Sequence, residues 1–93
     1  MLVAEFRKDG CSACVEMERI LKKVEPLVAG KARILRINVD GEPDLTRKYF
    51  IRLVPTILFY EPNGEFFLRH EGVIGEDDLL RLVQNISGQD AGS

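Results

Sequence analysis

The sequence predicts an α/β domain of order β-α-β-α-β-β-α, a four-stranded mixed sheet with helices on both faces. Three observations predict it. Leu2-Val3-Ala4-Glu5-Phe6 is an apolar run closed by the polar turn Arg7-Lys8-Asp9-Gly10, and such runs belong to interior strands covered on both sides. The segment that follows is apolar at helical spacing. Further on, Pro62-Asn63-Gly64-Glu65 separates two strand-like stretches and is a strong hairpin signal. Parallel strands therefore come first and an antiparallel pair last.

Each element has its own reason. Leu2 to Phe6 has almost no polar face, which makes Glu5 its odd residue: a carboxylate there either reaches solvent at a frayed edge or is buried for a purpose. From Cys11 onward Met17, Ile20, Leu21, Val24 and Val28 share one helical face, with Glu16, Glu18, Arg19, Lys22 and Lys23 on the others. Glu18 and Lys22 are spaced as an i, i+4 pair on a solvated face. Pro26 disfavours the α conformation at Glu25 and lacks a donor, so a break is expected there, with the element ending at Gly30.

Ala32 to Val39 is apolar on both sides of the pleat and reads as a second interior strand, joined to the first in a right-handed parallel βαβ unit. Asp40-Gly41-Glu42-Pro43 ends it and starts a short helix carrying Leu45, Tyr49 and Phe50, with Pro43 in the first turn. Pro55-Thr56-Ile57-Leu58-Phe59-Tyr60 is the third strand, a proline being tolerated at its head, and the hairpin leads into Phe66 to His70. Gly72 and Gly75 bracket a loop, and Leu79, Leu82, Val83 and Ile86 mark the last helix. Gly88 to Ser93 is small and polar and reads as a flexible tail, leaving one domain over residues 1–87 with no internal repeat.

A chain of 93 residues with 45% hydrophobic content is one small domain, burying on the order of 60–65% of its unfolded surface. Charged residues make up 30% and the formal net charge is −2, so no basic field argues for nucleic acid. The apolar start is broken by Glu5 and Arg7, too short for a signal peptide or a membrane span. The expectation is a monomer without stable membrane insertion, cytoplasmic by default. A periplasmic protein without its leader, or a domain excised from a longer chain, would read the same. In the cytoplasm a two-cysteine protein is more often catalytic than stapled.

Those two cysteines stand three residues apart in Gly10-Cys11-Ser12-Ala13-Cys14, at the first turn of the first predicted helix. Unpaired backbone N–H groups and the positive end of the helix dipole favour a thiolate there, so Cys11 is expected to ionise more easily than a free cysteine at about pH 8.5. Its thiolate attacks a disulfide in another molecule; Cys14 then attacks the mixed disulfide, and the pair cycles between dithiol and disulfide. Other roles stay open for such a pair. Half of a zinc site would need two further ligands in a chain whose one histidine is His70, and a zinc-bridged dimer would supply them from a second copy. A structural disulfide closing so short a loop stabilises little.

The element order, the Cys-Ser-Ala-Cys, the Leu53-Val54-Pro55-Thr56 about forty residues later, the Asn63-Gly64 hairpin and Gly72 before the last helix together resemble the thioredoxin family. The resemblance runs from Leu2 to Ile86 and implies a thioredoxin-like fold. It implies a cis peptide bond before Pro55, with the backbone of Val54 open to pair with an extended substrate segment. Gly10, Ser12, Val54, Pro55, Thr56, Gly72 and Val73 would bind substrate around Cys11. Glu5 aligns with the buried acid beneath the cysteines, raised in pKa by desolvation and able to take the proton of Cys14. Arg36 aligns with that acid's lysine partner and, being unable to give up its proton, would hold Glu5 more firmly ionised. No metal and no cofactor beyond the Cys11–Cys14 disulfide is implied.

The sequence departs from the family pattern in four places. The family's leading strand and helix do not precede Leu2 in this sequence, which would put Leu2 to Phe6 nearer the sheet edge unless a further segment covers it. Gly10 stands for the tryptophan before the first cysteine, Ser12-Ala13 for Gly-Pro, and Arg19 for a helix-kinking proline. The implied function is a thiol-disulfide oxidoreductase acting on protein disulfides and recharged by a dithiol donor, such as a thioredoxin reductase or a membrane thiol carrier. The alternatives are an electron carrier dedicated to one membrane relay or client, a glutathione-dependent enzyme lacking the usual aromatic between its cysteines, and a thioredoxin-fold binding or chaperone module.

Overall fold

β1 (Leu2–Arg7) is the strand on which the rest is built. In the computed structural model, which describes residues 1–91 and the side chains of residues 1–86, it pairs in parallel with β2 (Arg33–Asn38). On its other side it pairs antiparallel with β3 (Thr56–Tyr60), which in turn pairs antiparallel with β4 (Phe66–Glu71). The sheet order is β2-β1-β3-β4. β1 is therefore interior rather than near the edge, and β2, read as interior, is an edge strand among the described residues. The reason is physical. An apolar pattern reports which faces of a strand are covered, not whether both of its edges are paired; Ile34 packs toward one face and Ile37 toward the other, although among the described residues no strand lies beyond β2.

The period of two along β1 sorts the core into two layers. Val3, with Ile57 and Phe59 of β3, faces α1 (Ser12–Val24) and α3 (Glu76–Ala91), where Met17, Leu21, Leu79 and Val83 are buried against them. Burying each such side chain contributes about 1.5–3 kcal/mol. Ala4 and Phe6, with Leu58, face the other way toward Leu45 and Tyr49 around α2 (Pro43–Lys48). Helices thus lie on both faces, as expected for a thioredoxin-like α/β fold.

The break at Pro26 takes the form of a 3-10 turn, Glu25–Val28, directly after α1. The hairpin closes at Gly64, whose φ of +90° suits glycine, with Glu61 N–H donating to Glu65 O at 2.8 Å. α3 continues through Gly88 to Ala91, so the backbone of these positions, read as part of a tail, is helical. Residues 92 and 93 of that tail lie outside the described residues. Among the described residues no helix is long and apolar enough to cross a membrane.

Candidate active site

The loop between β1 and α1 delivers the first cysteine. Gly10 takes φ +77°, a left-handed turn that glycine adopts freely, and Cys11 follows as the N-cap of α1 in extended conformation (φ −101°, ψ 112°). Cys14 N–H donates to Cys11 Sγ at 3.1 Å, so the sulfur occupies the place that a serine or aspartate oxygen fills at most helix starts. The Cys11 thiol donates to Val54 O at 3.7 Å. Cys11 is partly exposed; Cys14 is 2% exposed. Burial, then the hydrogen bond to the Cys11 side chain, pushes the Cys14 thiol up to about 11, against the opposing pull of a backbone hydrogen bond from Lys8.

Two further loops close on this turn. The Val54–Pro55 bond is cis, Pro55 is buried, and Val54 is half-buried. Gly72, at φ +95°, donates its N–H to Pro55 O at 2.8 Å. Val73 beside it is 38% exposed, and Ile74 N–H reaches Met17 Sδ of α1 at 3.5 Å. Gly10 and Ser12 are exposed on the near side. Cys11, Val54, Pro55 and Gly72 are thus linked by direct contacts, with Gly10, Ser12 and Val73 next to them in the chain. Thr56 is different. It is fully buried and its hydroxyl donates to Leu53 O, which takes it out of reach of a substrate and corrects its expected place among the binding residues. A side chain at the head of a covered strand points into the core; Thr56 braces the turn before the strand.

Glu5 is fully buried on the α1 face of β1, and neither carboxylate oxygen accepts a hydrogen bond. Burial raises its pKa above the ordinary 4.5; the charges of Arg7 and Arg36 oppose this and that of Glu18 reinforces it. Its charge is felt at Cys14. The nearest cation is Arg7, whose Nε lies 3.8 Å from Glu5 Oε1. Arg36, expected to hold Glu5 ionised, is the β2 residue in register with it but turns elsewhere: its Nε donates to Glu18 Oε1 at 2.8 Å and its Nη2 to Glu25 Oε1 at 3.1 Å. A guanidinium offered two accessible carboxylates satisfies its fork there, where less desolvation is required.

The same contacts correct a second expectation. Glu18 pairs with Arg36 and with Arg7, whose Nη1 donates to Glu18 Oε1 at 2.7 Å, rather than with Lys22. Burial alone would raise the Glu18 carboxyl, but these hydrogen bonds outweigh it and hold it below its ordinary value. The pattern held signals for both residues. Arg7 is two positions beyond Glu5 and shares its face of the strand, and Glu18 is one helical turn beyond Cys14.

Comparison with known proteins bears on this arrangement. The family model described as Thioredoxin matches residues 1–87. The chain belongs to the thioredoxin family. It is 26% identical to a thioredoxin of Rickettsia bellii over 90% of this chain and 79% of that one. It is 34% identical to the M-type chloroplastic thioredoxin of Pisum sativum over 91% of this chain and 47% of that one, so it spans about half of that relative. Among solved structures, chloroplastic thioredoxin z superposes with a TM-score of 0.85 at 27% identity, covering 94% of this chain and 78% of that one. Thioredoxin homologues are protein-disulfide oxidoreductases, and the two neighbouring cysteines put this chain in that enzyme class.

Proposed function

We propose that the protein reduces disulfides in other proteins through Cys11 and Cys14. The observation that carries this reading is the sulfur pair itself: one thiol half-exposed at the helix start, the other buried behind it, with a backbone N–H of the turn already donating to the first sulfur. The Cys11 thiolate attacks one sulfur of the substrate disulfide, forming a mixed disulfide and expelling the other sulfur as a thiolate. Cys14 cannot follow unaided, because burial keeps its thiol protonated at neutral pH. Glu5 is the base assigned to that proton. The Cys14 thiolate then displaces the second substrate sulfur from Cys11. The substrate gains the two electrons that the cysteine pair loses, and no cofactor beyond that pair takes part.

The substrate segment would lie along Val54, whose carbonyl already receives the Cys11 thiol, with Gly10, Ser12, Pro55, Gly72 and Val73 as the surrounding rim. The partners are protein disulfides and a dithiol donor, either a thioredoxin reductase or a membrane thiol relay, met by a monomer in the cytoplasm. Exposed Gly10, where the family carries tryptophan, favours a narrower second reading, a carrier serving one client; comparable rates on many unrelated protein disulfides would exclude it.

Replacing Cys14 by serine is expected to trap mixed disulfides at Cys11, detected by mass spectrometry of the denatured protein, and to abolish turnover. Trapping by Cys11→Ser instead would reverse the two roles. Unchanged disulfide reduction in both variants would overturn the reading.

A further inference from the structure

Four charged side chains beside Glu5 play no part in the chemistry above, yet their arrangement bears on it. Arg7 follows Glu5 on the same face of β1, and Arg36 sits in register with it on β2. Two guanidiniums so placed would ordinarily close on a buried carboxylate and hold it as an anion. Here they do not. Glu18 of α1 accepts from Arg7 Nη1 at 2.7 Å, from Arg36 Nε at 2.8 Å and from Arg36 Nη2 at 3.2 Å. Glu25, at the start of the 3-10 turn, takes the rest of the Arg36 fork at 3.3 Å and 3.1 Å. Glu5 keeps only the 3.8 Å approach of Arg7 Nε, without a hydrogen bond.

We propose that Glu18 is a positioning residue: by engaging the guanidiniums of Arg7 and Arg36 it keeps them from closing on Glu5, and so sets how readily Glu5 takes the proton of Cys14. Two effects of Glu18 act in one direction. It engages the Arg36 fork and Arg7 Nη1, leaving Glu5 only the 3.8 Å approach of Arg7 Nε, and its own negative charge repels that of Glu5. The groups facing Glu5 are Arg7 from its own strand, Arg36 from β2, and Glu18 and Cys14 from α1, with Glu25 acting only through Arg36. Removing the charge at position 18 therefore leaves two cations near Glu5 and one anion fewer, and Glu5 must release its proton at lower pH. A base made more acidic is ionised over more of the pH range but pulls less strongly on a thiol proton.

The proposal deepens the oxidoreductase reading, and its test does not depend on turnover. The Glu5 carboxyl, labelled with carbon-13 and assigned by its disappearance in Glu5→Gln, is titrated by NMR in the reduced full chain. In Glu18→Gln its midpoint is expected to fall by about 1 pH unit, the lower end of what a nearby opposite charge produces. Glu18→Asp, which keeps the charge on a shorter arm, is expected to recover at least half of that fall. Glu25→Gln, which touches only Arg36, is expected to move the midpoint by less than half as much. The pH profile of mixed-disulfide resolution by Cys14 should shift in the same sense, its acid limb moving down with the Glu5 midpoint. An unmoved or raised Glu5 midpoint in Glu18→Gln, or equal shifts from Glu18→Gln and Glu25→Gln, would overturn the proposal. A lowered midpoint in a protein that reduces no disulfide would sustain it while removing the functional reading.

Discussion

The two faces of the sheet are closed to different degrees. Under α1 and α3 the layer is apolar and closed, with Phe59, Met17 and Leu21 fully buried. Over the other face α2 buries no residue completely, Leu35 stays exposed, and a groove of about 610 Å³ runs past Phe6, Leu35, Leu58 and Tyr49. Polar contacts add to the packing of Leu45 and Tyr49 against Phe6 in holding α2. Arg69 of β4 donates to Tyr49 O at 2.6 Å and to Phe50 O at 2.8 Å, at the helix C-terminus. Thr46 Oγ1 donates to the carbonyls of Glu42 and Val39. The difference teaches where the chemistry has to be. Desolvation raises both Glu5 and Cys14, and both lie on the α1 side of the sheet, where the layer is closed.

The contrast is sharpest in stability. Phe59→Ala removes a ring from the closed layer and should lower the free energy of unfolding by about 3–5 kcal/mol in chemical denaturation, a large share of the roughly 5–15 kcal/mol typical of a domain. Leu35→Ala, on the open side, should stay within about 0.5 kcal/mol, as surface changes usually do. Equal losses would mean that the two layers are packed alike. A middle-sized effect belongs to the clamp on α2. Arg69→Ala strands two helix-terminal carbonyls and should cost about 1.5–3 kcal/mol, the range for hydrogen bonds to a charged group. Arg69→Lys should recover less than half, since one ammonium does not reproduce a planar fork reaching two acceptors. Full recovery by lysine would reduce the clamp to a point charge.

The closed face was the legible one. Met17, Leu21 and Val24 announce their helix by period, and the cysteine pair at its start needed only the apolar run before it and the Val-Pro-Thr strand after it to be placed. Glu5 stood out because a lone carboxylate in an apolar strand demands an explanation. What stayed hidden depends on contacts between distant segments. Nothing in the pattern of β2 tells an edge from an interior position, because hydrophobicity encodes covered faces. Arg36 had two carboxylates on α1 and the following turn to choose from besides Glu5, and the choice rests on relative desolvation in three dimensions. Thr56 is one residue past a site proline, and its burial beside Phe6 in the paired sheet, with its hydroxyl on Leu53, shows only once the strands are in register.

The finest distinction between the faces is a slope rather than a step. Buried Glu5 keeps its proton to a higher pH in the folded protein than in the unfolded chain, where it titrates near 4.5. Between 4.5 and the raised native value the folded state binds more protons, so stability falls as pH rises through that window and is level beyond it. Glu18 has the opposite sign: its native pKa lies below 4.5, and the stability it contributes above that value is lost as pH falls through the native one. The two contributions occupy separate windows, one on each side of 4.5. Urea denaturation at intervals from about pH 3 to about pH 7 resolves them. Glu5→Gln should abolish the decline on the alkaline side of 4.5 and leave the acid-side loss in place. If the wild-type and Glu5→Gln curves instead run parallel above 4.5, Glu5 titrates alike in the folded and unfolded chains, and the closed face gives it no drier surroundings than the open one would.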